Sequence, residues 1–237
     1  MAATRRRVEK LLGGLARFPA QQKSILIVLD SEEDYYHYVS IYYPDGGEFS
    51  RSGGMYIHFG CPHFVAVRAG LAAIEPVIAH EMTHSALAHL RLPTWLDEGI
   101  AVNTEHKLAG AGRLPHTPRE VHQMHLRFWN PATIQEFWTG ASFHRTDDGH
   151  LLSYELARVI VEQMARDWEA FQAFVATAAR QDGGAAAAGM ALGVDLGAYV
   201  GALLQVDDSA GWAPRPACCG AQDEAEPSSS PPRSGGS

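Results

Sequence analysis

Two histidines and a glutamate carry the first chemical question. His80 and His84 stand four apart in His80-Glu81-Met82-Thr83-His84. On an α-helix residues i and i+4 lie one above the other, so both imidazoles leave the same face and can hold one small cation. Zinc is the natural candidate. It accepts neutral nitrogen and carboxylate oxygen in a tetrahedral shell, and a catalytic site keeps one position for water. Glu81, one residue past the first histidine, projects beside that water, where a general base for water attack must stand. One Zn2+ per chain is expected. The alternative is a helix whose histidines are satisfied surface or core groups, and the five-residue motif alone is a hypothesis.

The flanks add weight. Val77, His80, His84, Leu87 and Ala88 fall at helical spacing, so an apolar stripe frames the histidines. Pro76 suits the first turn of this helix, where its missing N–H costs nothing. Arg91-Leu92-Pro93 breaks it, and Thr94 with Asp97 three residues on predicts the N-cap of a second helix. Glu98 then sits in the first turn of that helix, close to where a third ligand from an antiparallel neighbour would come from. Gly99 removes a side chain where two helices must approach a metal.

His-Glu-Met-Thr-His followed by Leu92-Pro-Thr-Trp-Leu-Asp-Glu98-Gly-Ile-Ala101 resembles the peptidase MA-like branch of the gluzincins. These are zinc metallopeptidases with two histidines and a downstream glutamate as ligands. The resemblance implies His80, His84 and Glu98 as metal ligands and Glu81 as base. It also implies a zincin-like α+β fold: a small twisted N-terminal sheet, an edge strand over the cleft, and a helical C-terminal lobe. In the family a tyrosine opens a helix after the zinc site, and Tyr154 is the corresponding candidate for stabilising the oxyanion, or else packs beneath the zinc helix. Zinc aminopeptidases of the wider clan carry a glutamate in a Gly-x-Met-Glu-Asn loop, and Gly53-Gly54-Met55-Tyr56-Ile57 lacks it, so aminopeptidase specificity is not expected.

The rest of the chain bounds the reading. Its 237 residues, 46% hydrophobic, suffice for one sizeable core, expected over residues 1–206. Net charge is −8 and no basic patch follows the first few residues, so nucleic acid is an unexpected partner. Three cysteines make no disulfide framework. No stretch approaches the length of a membrane span, and the N-terminus lacks a signal-type apolar segment, which together predict a cytoplasmic protein without a membrane span.

Taken in order, residues 4–17 predict a short basic helix with Val8, Leu11, Leu12 and Leu15 on one side, and 24–29 a buried strand. Ser31 caps a helix over 32–42, and Pro44 to Gly47 form a turn. Residues 53–59 and 63–67 alternate like a hairpin feeding the zinc helix. Residues 63–67 are the expected cleft edge, with 55–59 the alternative by register; strand addition there would recognise peptide backbone. Cys61 and His63 are set aside as ligands, since three are already supplied. Asp97, Asn103 and Glu105 are all candidates to orient the histidines, with nothing to choose between them. His122 and His125 read as a solvated helix face. Residues 130–148 read as loop-rich, with Phe128, Trp129, Phe137, Trp138 and Phe143 mostly core. A long helix opens at Ser153-Tyr154, two or three short helices follow, and residues 207–237 read as a disordered tail. The expected function is a zinc-dependent peptide-bond hydrolase, an endopeptidase acting on peptide or protein substrates. The alternatives are a catalytically silent zincin-fold binding module and an amidase of modified or cell-wall peptides.

Overall fold

A computed structural model describes residues 1–18, 25–43, 54–57, 60–110 and 116–215. The predicted turn at Pro44, Cys218 and Cys219 lie outside them. Among the described residues the chain is mostly helical, with one small mixed sheet.

The N-terminal part contains α1 (Ala2–Leu12), β1 (Leu26–Leu29), α2 (Glu32–Tyr42), β2 (Gly54–Ile57) and β3 (His63–Val67). The strand order is β1-β3-β2, with β1 parallel and β2 antiparallel to β3. This corrects two expectations. Residues 63–67 form the centre of the sheet, and the edge facing the site is β2, the alternative by register. β1 is an outer strand rather than a buried one: among the described residues it pairs only with β3, and Val28 is 42% exposed. Ser31 does cap α2, accepting from the Asp34 N–H at 3.1 Å. Tyr35 and Val39 of α2 join Ile57 and Val65 in a small core separate from the main one.

The helical part contains α3 (Leu71–Leu87), α4 (Thr94–Ala109), α5 (Pro118–Phe128), α6 (Thr133–Thr139), α7 (Asp148–Met164), α8 (Trp168–Thr177), α9 (Ala185–Leu192) and α10 (Leu196–Leu203). α4 packs between α3 and α7. It buries Trp95, Leu96, Gly99, Ile100, Ala101, Val102 and Thr104, residues spread around its circumference, as a helix enclosed by protein does.

Four local expectations change. α3 begins at Leu71, so Pro76 lies inside it and not in its first turn. Pro93, not Thr94, precedes α4: its carbonyl accepts from the Leu96 and Asp97 N–H groups, and the Thr94 side chain instead faces Gly140. α7 begins at Asp148, capped by Asp147, so Tyr154 sits well inside the helix. Gly99 serves α7 and not the metal approach. A Cβ there would lie 2.7 Å from both the Ala157 carbonyl oxygen and Val161 Cγ2.

The polar segment beginning at Asp207 is ordered as far as Arg215. Trp212 is buried, Trp138 Nε1 donates to its carbonyl at 2.8 Å, and Gln135 Nε2 donates to the Gly211 and Ala213 carbonyls at 3.0 Å each. One tryptophan and a buried glutamine thus tie down backbone that composition alone assigns to a tail. Residues 216–237 lie outside the described residues.

Candidate metal centre

The break between α3 and α4 turns the chain back on itself. Ala88–Leu90 form a single 3-10 turn, Arg91 adopts a left-handed conformation (φ 49°), and Pro93 starts the return. The returning helix therefore lays its first turns beside the end of α3, and Glu98 meets the two histidines. Nε2 of His80 and of His84 lie 3.3 and 3.6 Å from Glu98 Oε2. The three side chains offer one ligand atom each, all within 4.8 Å of one another.

The fit to a cation rests on two observations. Glu98 Oε2 is buried with no hydrogen-bond partner, although two imidazole nitrogens point toward it. A buried acceptor without a partner costs free energy, so its survival in the site calls for an occupant that satisfies it. The spacings also agree with the donor set: ligand atoms about 2.0–2.1 Å from a tetrahedral zinc are roughly 3.4 Å apart. His80, His84 and Glu98 could hold a metal ion.

The opposite nitrogens are held by α4 as well. His84 Nδ1–H donates to Asp97 Oδ2 at 2.9 Å and His80 Nδ1–H to Glu105 Oε2 at 3.2 Å, which leaves both Nε2 atoms free for a metal. Asn103, the third candidate, instead donates to the Gly99 and Arg158 carbonyls and ties α4 to α7. Residues 98 and 105 share one face because seven residues are close to two turns, and Asp97 lies one step round the helix from them, on the side of His84.

The electrostatics follow from this crowding. Burial would lower the His80 imidazole, but the carboxylates of Glu105 and Glu98 beside it outweigh that and lift it to about 9. Burial likewise opposes His84, yet Asp97 and Glu98 hold it well above its ordinary value. For Glu98 burial pushes upward and the two imidazoles win, holding the carboxyl far below its usual range. A cation takes neutral imidazoles, so its binding would release these protons.

Glu81 stands apart from the three ligand candidates. Its Oε2 accepts the Tyr56 N–H of edge strand β2 at 2.7 Å. Burial raises its carboxyl, against the pull of His84 and His80. Tyr154 is close enough to feel both carboxylates: burial, then Glu98 and Glu81, push its phenol well above the ordinary value. Its ring packs edge-on against Phe143 and His150. Tyr43, just past α2, is raised by burial and by Glu81. No motif singled it out, because only the return of the sheet brings it near.

Two other histidines lie elsewhere. His63 is buried, donating from Nδ1 to the Cys61 carbonyl at 2.6 Å and accepting from the Tyr38 hydroxyl at 2.9 Å. His125 is not on a solvated face. It is 7% exposed, its Nδ1 accepts the Trp129 indole N–H at 2.8 Å, and burial with the nearby His122 and Arg158 lowers it to about 4. The charged residues of α5 hid this, since only the i, i+4 spacing to Trp129 marks its inward position.

Compared with known proteins, the chain matches no family model, no curated protein and no solved structure.

Proposed function

We propose that this chain is a zinc-dependent peptide-bond hydrolase of the gluzincin type, with a zincin-like arrangement of sheet and helices. The observation that carries the reading is a division of labour within one cluster. Three side chains converge through Nε2, Nε2 and Oε2, while Glu81, next to them in sequence, is held away by a strand N–H. Ligands and base occupy different places, as metal-assisted hydrolysis requires.

Bound zinc would polarise the scissile carbonyl and acidify a water. Glu81 accepts the proton from that water as its oxygen bonds to the carbonyl carbon. It then returns a proton to the amide nitrogen as the C–N bond breaks, giving a carboxylate and an amine. Tyr154, kept protonated by burial and the two carboxylates, stays an O–H donor for the oxyanion. The edge of β2 away from β3, which has no strand partner among the described residues, offers backbone groups besides the Tyr56 N–H held by Glu81 to an extended peptide, which makes binding independent of side-chain identity. Among the described residues no single helix is long and apolar enough to cross a membrane. α9 and α10 pass that test only as a pair bent by 85°.

The test is cleavage of a mixed quenched peptide pool by zinc-loaded protein, beside Glu81→Gln, with metal content measured for both. Retained zinc with turnover down by about a thousandfold or more is the expected result. Equal cleavage by the variant overturns Glu81 as base. Silence from both, with one zinc per chain, overturns the general peptidase in favour of a narrow-substrate amidase or a binding module.

A further inference from the structure

Away from the metal centre, α5, α7 and the end of α10 enclose a half-open cleft of about 330 Å3. That is the low end of the range for small-molecule sites. Its walls include Val121, Leu156 and Val159, and its polar side is formed by His122, His125, Glu155 and Arg158.

His125 gives the cleft a direction. An indole N–H can only donate, so the 2.8 Å bond from Trp129 Nε1 fixes His125 Nδ1 as the acceptor. The neutral ring must then carry its hydrogen on Nε2. That N–H belongs to a residue only 7% exposed that lines the cleft, and it has no acceptor among the described residues. A fixed N–H donor on the wall of a largely apolar cleft is met by water when the cleft is empty and by a ligand oxygen when it is filled.

Arg158 adds to it. Its Nε and Nη2 donate to Glu155 Oε2 at 3.2 and 3.0 Å and its Nη1 to Glu162 Oε2 at 2.9 Å. A guanidinium has five N–H groups, so two remain. Burial first, and then the nearby His122 and Arg158, oppose a proton on the His125 imidazole, which keeps its ring neutral with Nε2–H as a donor. Glu155 stands on the same wall and limits how much negative charge the cleft accepts, which favours one carboxylate over a doubly charged phosphate.

We infer that the cleft between α5, α7 and α10 binds a small apolar carboxylate, its oxygens on His125 Nε2–H and Arg158 and its tail against Val121, Leu156 and Val159. A fatty acid and the C-terminus of an apolar peptide share this chemistry. The inference is independent of the metal site.

Calorimetric titration of the full chain with octanoate, N-acetylleucine and octanamide tests it, with the side-chain 15N resonances of His125 followed in parallel. One carboxylate should bind per chain, move the Nε2 resonance, and bind about tenfold or more tighter than the uncharged octanamide. Tighter octanoate identifies a fatty acid and tighter N-acetylleucine a peptide C-terminus, and either supports the site. Val159→Trp fills the cleft without touching the Trp129 bond and should weaken binding by about tenfold or more. His125→Gln, which can replace both the acceptor and the donor, should retain it. No binding to the wild-type chain, equal binding of octanamide, or unchanged binding to Val159→Trp overturns the inference.

Discussion

Trp95 and Glu98 are three residues apart on α4, yet their polar atoms are treated in opposite ways. Trp95 is fully buried, its Nε1 donates to the Gly183 carbonyl at 3.0 Å, and its ring meets Trp138 edge-on and stacks with Phe174. Trp138 beyond it ends on one backbone carbonyl, and Gln135 on two carbonyls and one amide. On the side toward α3, three carboxylates of the same helix face two histidines, and one buried oxygen has no partner. The aromatic side follows the ordinary rule that buried polar groups are paired. The histidine side departs from it within a few ångströms. A helix that obeys the rule on one side and breaks it on the other marks where stability and function separate.

The largest test of that separation is metal itself. Excess zinc should raise the stability of the wild-type chain, by about 4 kcal/mol at a thousand times its Kd. His84→Ala and Glu98→Ala should abolish this shift and reduce bound zinc to background, read by thermal unfolding and elemental analysis. A shift that survives in both variants would place the cation elsewhere.

Next come the two sides in contrast, without added metal. Trp95→Ala should cost about 4 kcal/mol through the cavity left among Trp138, Phe137 and Phe174, while the folded fraction still takes up zinc. Glu98→Met should cost clearly less than Trp95→Ala, because it removes the buried oxygen that has no partner and leaves each imidazole its own carboxylate, Asp97 or Glu105. Equal losses in denaturant titration would erase the distinction.

Acid should act through a group on neither side. His125 in the folded chain is lowered from the ordinary 6.5 to about 4, so between these values the unfolded chain binds the extra proton. The stability that His125 contributes is complete above about pH 6.5, falls as pH drops toward 4, and levels below it, with a full loss of about 3 kcal/mol. His125→Gln should flatten that limb.

Gly99→Ala comes next, at about 2 kcal/mol. The new methyl meets the Ala157 carbonyl, which is backbone and can move only with α7. Since α7 also carries Tyr154, the variant should lose turnover beyond what its stability explains, with zinc content unchanged.

These contrasts also show what the sequence could disclose. His80, Glu81, His84 and Glu98 were legible because helical spacing and one short break fix where they fall. The partners on the far side of each imidazole were not. Asp97, Asn103 and Glu105 are all polar residues of one helix, and only its rotation about its own axis, set by packing against both α3 and α7, sends Asn103 to α7 and the others to the histidines. The sheet order was ambiguous for a similar reason. Alternation in 53–59 and 63–67 gives strands but not neighbours, and the parallel pairing of β1 with β3 that makes β3 central is a long-range choice. His125 and Trp212 were misread because each is an anchor inside a polar stretch, where average composition says the opposite of the one residue that matters.

The last segment gives the smallest effect and the finest test. Residues 207–215 hang on Trp212 and on Gln135, whose Nε2 donates to the Gly211 and Ala213 carbonyls and whose Oε1 accepts the Arg215 N–H at 3.2 Å. A Cβ at Gly197 would lie 2.5 Å from the Ala213 nitrogen, so the segment presses directly on α10. Gln135→Leu keeps the volume and deletes all three bonds, while Trp212 stays on Trp138. If the segment opens on its own, global stability should fall by only about 1 kcal/mol while amide exchange at 211–215 speeds up about tenfold. If the fall instead matches that of Trp95→Ala, the segment unfolds with the aromatic side of α4 and belongs to the same cooperative unit.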